Sequence, residues 1–155
     1  MKIGFICPNL SIGDQIDPKQ IGPVPGNAII VNQTPQLELL KRTSVCITHA
    51  GLNTVLESLA QGVPLVAIPI TFEQPGVAPR IAAKKTGVTV PFEKLTSDHL
   101  STLLGEVLNN AVYRKNARKL QDIIAKTNGL SMAADIVERS FGVTKKHADR
   151  YAQVV

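Results

Sequence analysis

Tryptophan is absent from this 155-residue chain, and aromatic residues make up only 4% of it. A core must then come from Val, Ile, Leu and Ala, the side chains that fill parallel sheets covered by helices. Cysteine is nearly absent too: Cys7 and Cys46 are the two, each inside an apolar run. They read as buried free thiols, because no paired Cys or His spacing points to a disulfide or to zinc. Charged residues account for 19%, and no basic run is interleaved with aromatics, so nucleic-acid recognition has no support. No apolar stretch reaches the roughly 20 residues that span a bilayer. The opening MKIGFICPN carries too short an apolar run for a secretory signal, so the sequence predicts a cytoplasmic protein. The net charge of +5 permits an anionic ligand, although dispersed Lys and Arg residues equally describe a solvated face.

What is present is 44% hydrophobic residues, enough for one sizeable core and too little for two ordinary domains. The apolar runs are short, β-branched and separated by helical patterns. Strands are expected at Lys2–Ile6, Ala28–Val31, Val45–Thr48, Leu65–Pro69 and Val88–Val90. The Gly- and Pro-rich stretch 13–27 reads as a loop with one short turn. A short helix is expected over Pro35–Arg42, opened by Thr34 with Pro35 in its first position. Further helices are expected over Asn53–Gln61, stopped by Gly62, and over Gly76–Lys85, where Pro79 falls in the first turn. From Thr96 onward the pattern is wholly helical, and 142–155 is a polar tail. Alternating strands and helices imply right-handed crossovers and a single α/β domain with a doubly wound, Rossmann-like parallel sheet.

In such sheets ligands bind at the carboxyl ends of strands, where helix N-termini turn their free N–H groups outward. His49 is the first residue past the expected strand Val45–Thr48, and the small residues Ala50 and Gly51 follow it. Asn53 and Thr54 stand at the next helix start, and Glu57 lies one turn beyond Asn53. Dipole, amides, hydroxyl, carboxamide and imidazole together suit a diphosphate, while Glu57 suits vicinal hydroxyls. The bland alternative is a turn histidine followed by ordinary helix-capping residues. Val55, Leu56 and Leu59 are expected to face inward. Glu73 and Gln74 repeat the arrangement after the next strand, where they fit either sugar hydroxyls or a helix cap. His99 and His147 read as surface residues.

The stretch from TPQLELL through ITHAGLNTVLESLAQGVPLVAIPITFEQPG resembles the donor-binding signature of family 1 glycosyltransferases with the GT-B fold. The signature contains Pro-Gln, Thr-His-Gly-Gly-x-Asn-Ser, a following Glu, Gly-Val-Pro and a terminal Asp-Gln. The resemblance implies diphosphate binding by His49, Ala50, Gly51, Asn53 and Thr54, and ribose binding by Glu57. It implies uracil contacts from Gln33 and Gln36, and donor-sugar contacts from Glu73 and Gln74. Ala50 replaces the first Gly of the usual pair, and Glu73 replaces the usual Asp. Gln33 stands where many members carry an aromatic residue against the base. The forms EQPGVAPRI and LNTVLESL are most similar to zeaxanthin glucosyltransferases and related carotenoid enzymes.

The resemblance implies hexose transfer, with glucose as the expected sugar, from a UDP-sugar to a hydrophobic hydroxylated acceptor, without metal or cofactor. It places the acceptor site and the catalytic base in a separate N-terminal domain, so no catalytic residue is assigned here. Residues 1–9 resemble the first strand of that domain, 10–141 the donor-binding domain, and 142–155 a tail. The competing expectation is a non-catalytic nucleotide-sugar-binding or interaction module. A carotenoid acceptor would bring the enzyme to the membrane periphery. An uncovered strand edge predicts a homo-oligomer.

Overall fold

The strand Leu65–Ala67 is the most deeply enclosed segment, with all three side chains at 0% exposure. It lies between two parallel neighbours, Cys46–Thr48 and Gly87–Thr89, in register Cys46 to Leu65 to Gly87. The computed structural model describes residues 8–142. In chain order the strands are β1 (Asn9–Ser11), β2 (Ile29–Val31), β3 (Cys46–Thr48), β4 (Leu65–Ala67) and β5 (Gly87–Thr89). The helices are α1 (Gln36–Leu40), α2 (Leu52–Ala60), α3 (Gln74–Ala83), α4 (Ser97–Asn109), α5 (Ala111–Lys126) and α6 (Gly129–Ser140). A 3-10 turn at Pro18–Ile21 is the one short turn expected inside the 13–27 loop.

The architecture is α/β with parallel strands, as expected, but the strands do not form one continuous sheet. β1 and β2 pair with each other, and β3, β4 and β5 form a separate sheet. Among the described residues no strand joins the two. Leu10 and Ile29 of the two-stranded sheet remain 49% and 48% exposed while β4 is sealed, and Ile47 on the edge strand β3 is 46% exposed. The expected strand Lys2–Ile6 lies outside the described residues, as do Cys7, His147 and nearly all of the polar tail.

The core forms around β4 because a strand alternates its side chains between faces. Leu65 and Ala67 join Val55 and Leu59 of α2, Val77, Ala78 and Ile81 of α3, and Ala117 of α5 in one buried cluster. Val66 points to the other face and is equally buried, while α4 packs on β4 and β5. Leu56 does not pack inward as expected. It is exposed, because the stripe of α2 that meets β3 and α5 runs through Val55, Ser58 and Leu59. The Cys46 thiol is free and half-buried, and burial raises its pKa above the usual value, with the Ser58 hydroxyl opposing.

Two helix starts differ from expectation for backbone reasons. Pro35 does not enter α1, since its ψ of 82° is not helical; it takes the cap position, and Thr34 makes no cap. α3 begins at Gln74 rather than Gly76, because the Glu73 carbonyl accepts from both Gly76 and Val77 N–H. Pro79 therefore sits in the second turn, inside the helix. Its missing N–H leaves the Pro75 carbonyl without an intrahelical bond, and both prolines are exposed, so water can replace that bond.

β5 approaches β4 more closely than a side chain allows. A Cβ built on Gly87 would lie 2.0 Å from the Leu65 carbonyl oxygen. Gly87→Ala is expected to destabilise the chain by about 3 kcal/mol, as overpacking against backbone does. A urea titration measures it, and an unchanged midpoint would contradict the close approach.

Candidate functional site

Because β3 and β4 run parallel, the chain leaves both at the same edge, and Ile68 N–H donates to the Thr48 carbonyl at 2.8 Å across that edge. The loops carrying His49–Gly51 and Ile68–Glu73 are therefore neighbours. Ala50 is fully buried at φ 69°, the left-handed region, and its N–H donates to Thr48 Oγ1 at 3.2 Å. An L-residue held there costs roughly 1–2 kcal/mol relative to glycine. Packing of its methyl group into the core cluster offsets that strain. The departure from Gly-Gly noted in the sequence thus falls on the one residue of this loop whose backbone favours glycine.

Gly51 is needed for a different reason. Its own φ of −59° suits any residue. A Cβ there, however, would lie 2.6 Å from His49 Nε2. The imidazole folds back over Gly51, at the mouth of α2. Gly51 is also the N-cap of α2, and no side chain caps the helix. Asn53 and Thr54 consequently lie within the first turn and do not act as caps. The first amides of α2 are left to water or to an anion, with the positive end of the helix dipole behind them.

One turn on, three of the expected residues meet. Gln36 Nε2 donates to Glu57 Oε2 at 2.5 Å and lies 3.3 Å from Thr54 Oγ1, joining α1 to α2. Asn53 is exposed beside them. Gln33 does not join this group, because its Nε2 donates to Asp14 Oδ2 at 2.6 Å. After β4, Gln74 is buried, and its Oε1 accepts from Ile70 and Thr71 N–H, both at 2.9 Å. The oxygen is committed to shaping the loop, which leaves the Gln74 NH2 group for a ligand. Glu73 occupies the cap position of α3 without capping it, and its carboxylate is exposed.

Three contributors escaped sequence reasoning. Thr48 fixes the Ala50 amide, Asp14 holds Gln33, and Phe72 is 86% exposed at φ 55° beside Glu73. Asp14 carries no local signal, because its partner lies 19 residues away. Thr48 bonds an amide only two residues on, so its position just before the small-residue turn is the signal that could have found it.

The chain's residues 14–128 match the family model described as UDP-glucoronosyl and UDP-glucosyl transferase. The chain belongs to this family. It is 34% identical over 128 residues to the uncharacterized UDP-glucosyltransferase YojK of Bacillus subtilis (strain 168), covering 83% of this chain and 32% of that protein. It is 33% identical over 111 residues to the zeaxanthin glucosyltransferase of Pantoea ananas, covering 71% of this chain and 25% of that protein. Among solved structures, the calicheamicin glycosyltransferase CalG4 superposes with a TM-score of 0.79 at 29% identity, covering 86% of this chain and 35% of that one. The glycosyltransferase family and its GT-B fold are thereby established. The chain spans about a third of the length of the first of these relatives.

The contact between His49 and Gly51 can be tested directly. Gly51→Ala should displace the imidazole, and because glycine is preferred to alanine at an N-cap it should also cost about 0.5–1 kcal/mol. NMR under native conditions would show the His49 ring resonances shifted with the rest of the spectrum kept. Unmoved ring resonances would refute the packing.

Proposed function

We propose that this chain binds the UDP-sugar donor of a glycosyltransferase that moves a hexose, glucose, onto a hydrophobic hydroxylated acceptor. The observation carrying the proposal is the uncapped start of α2, with His49 at its mouth and Gln36, Thr54 and Glu57 assembled one turn away. In this reading the diphosphate lies against His49, the amides of the Gly51–Thr54 turn and the Asn53 side chain, while Ala50, whose own amide is held by Thr48, shapes the turn. Glu57 accepts from the ribose hydroxyls, which then compete with Gln36 for its oxygens. Gln36 borders the uracil, and Gln33 reaches it on exchanging its bond to Asp14. Glu73 and the Gln74 NH2 group meet the hexose hydroxyls.

The chemistry follows from charge. The acceptor oxygen forms a bond to the anomeric carbon as the bond from that carbon to the diphosphate oxygen breaks, and UDP departs with the electron pair. The acceptor proton goes to a base on the acceptor side, which the family resemblance assigns to another domain. Amides, imidazole and helix dipole are fixed in place before charge develops on the leaving diphosphate, which is where such groups lower a barrier. The likeness to a zeaxanthin glucosyltransferase supports a hydrophobic alcohol as acceptor. A bacterial UDP-glucosyltransferase matches as well, so the acceptor class rather than a carotenoid is what we propose.

Calorimetry with UDP is expected to show binding, and His49→Ala to weaken it about tenfold or more, the loss of a charge-assisted hydrogen bond. Absence of heat at millimolar UDP would overturn the proposal.

Sugar recognition is separable from this. Glu73→Ala is expected to weaken UDP-glucose by roughly 1.5–3 kcal/mol, about tenfold or more, while leaving UDP unchanged. Equal losses for the two ligands would remove Glu73 from the sugar contacts.

A further inference from the structure

At the amino end of β3, opposite His49, lies an open groove of about 820 Å³. Its walls are residues 41–44, which follow α1, and the corner where α4 ends and α5 begins. Five cationic side chains line it: Lys41, Arg42, Arg114, Lys115 and Arg118. No Asp or Glu is among the lining residues. Glu38 pairs with one of these cations, Lys41, at 2.6 Å, and Glu106 is engaged with the Tyr113 hydroxyl, so among the described residues four of the five lack a carboxylate partner. Arg114 donates to the Ser44 carbonyl, which spans the groove. Among the described residues the side chains of Arg42, Lys115 and Arg118 have no carboxylate within ion-pair distance.

Elementary electrostatics disfavours this arrangement in an empty groove. Arg114 closes the first turn of α5, where the helix dipole repels positive charge, and Lys115 and Arg118 follow it on the same helix. Burial lowers the Arg114 pKa, and the charge of Arg118 lowers it further. The helix end itself is satisfied, because Asn110 Oδ1 accepts from Val112 N–H. The side chains, rather than free amides, therefore define what the groove would take. Several converging guanidinium groups match the oxygens of a phosphate better than a single carboxylate. The groove's volume also exceeds what a monatomic anion fills.

We propose that this groove is a second anion site, specific for a phosphate-bearing ligand and separate from the donor site at the opposite end of β3. The ligand is a soluble phosphate ester or diphosphate, or the phosphate of a lipid headgroup.

The test uses the full chain carrying His49→Ala, which silences the donor site, with inorganic pyrophosphate as the calorimetric probe. Binding is expected, and Lys115→Gln combined with Arg118→Gln should weaken it at least tenfold. Both residues are exposed, and the glutamines keep much of their length, so the fold should persist. Lys119→Gln with Lys126→Gln removes the same charge outside the groove and should leave pyrophosphate affinity intact. UDP affinity of the otherwise native chain should be unaffected by Lys115→Gln and Arg118→Gln. Flotation with phosphatidylglycerol vesicles, against phosphatidylcholine alone, identifies the source. Groove-dependent flotation means a lipid headgroup, and pyrophosphate binding without flotation means a soluble ligand. Neither pyrophosphate binding nor flotation would overturn the proposal, and so would equal losses in the two glutamine pairs.

Discussion

Parallel pairing of Cys46–Thr48 with Leu65–Ala67 is the constraint on which the candidate site depends. Two strands running the same way release their following loops at one edge, so residues separated by a whole helix in sequence become neighbours. The pairing holds because β4 is enclosed on both sides and both faces, whereas each flanking strand is only partly covered. Leu65 and Ala67 gather α2, α3 and α5 into one cluster, and that cluster fixes where the amino ends of α2 and α3 point. The site's precision is thus inherited from aliphatic packing several residues away. Its polar side chains are mostly exposed and contribute little to holding the domain together.

Within that frame, polar groups divide into those that build and those that remain available. Thr48 and the oxygen of Gln74 build, each accepting from backbone N–H groups of its own loop. His49, Asn53 and Glu73 make no such commitment. Glu57 is intermediate, since a ligand hydroxyl has only to displace a neutral carboxamide from it. Such a division lets the loops hold their shape before a ligand arrives, which lowers the ordering cost of binding.

Much of this was legible in the sequence. The aliphatic run ending at Thr48, the small residues after it and the polar helix start placed the loop between β3 and α2, because each is a local signal. The Ala at position 50 in place of the family's first Gly was itself a local signal of the special backbone there. Exact helix starts were not legible, since the entry at Gln74 depends on which carbonyl captures the Gly76 and Val77 amides. The division into two sheets was equally hidden, because a strand's own residues do not name its partner. The cationic groove lay beyond any local reading. Ser44 and Arg114 are 70 residues apart, and the positive charge looked dispersed until folding gathered it.

Ala50 narrows the chemistry of its position to two choices. Glycine would relieve the backbone and lose the buried methyl group, and alanine keeps the methyl and bears the strain. Any larger side chain would have to find volume in a cluster that already encloses the methyl on every side. The residue beside the family's histidine is therefore closed to gradual change. Variation in this loop can alternate between those two residues, and drift in size must be absorbed at the exposed positions around it.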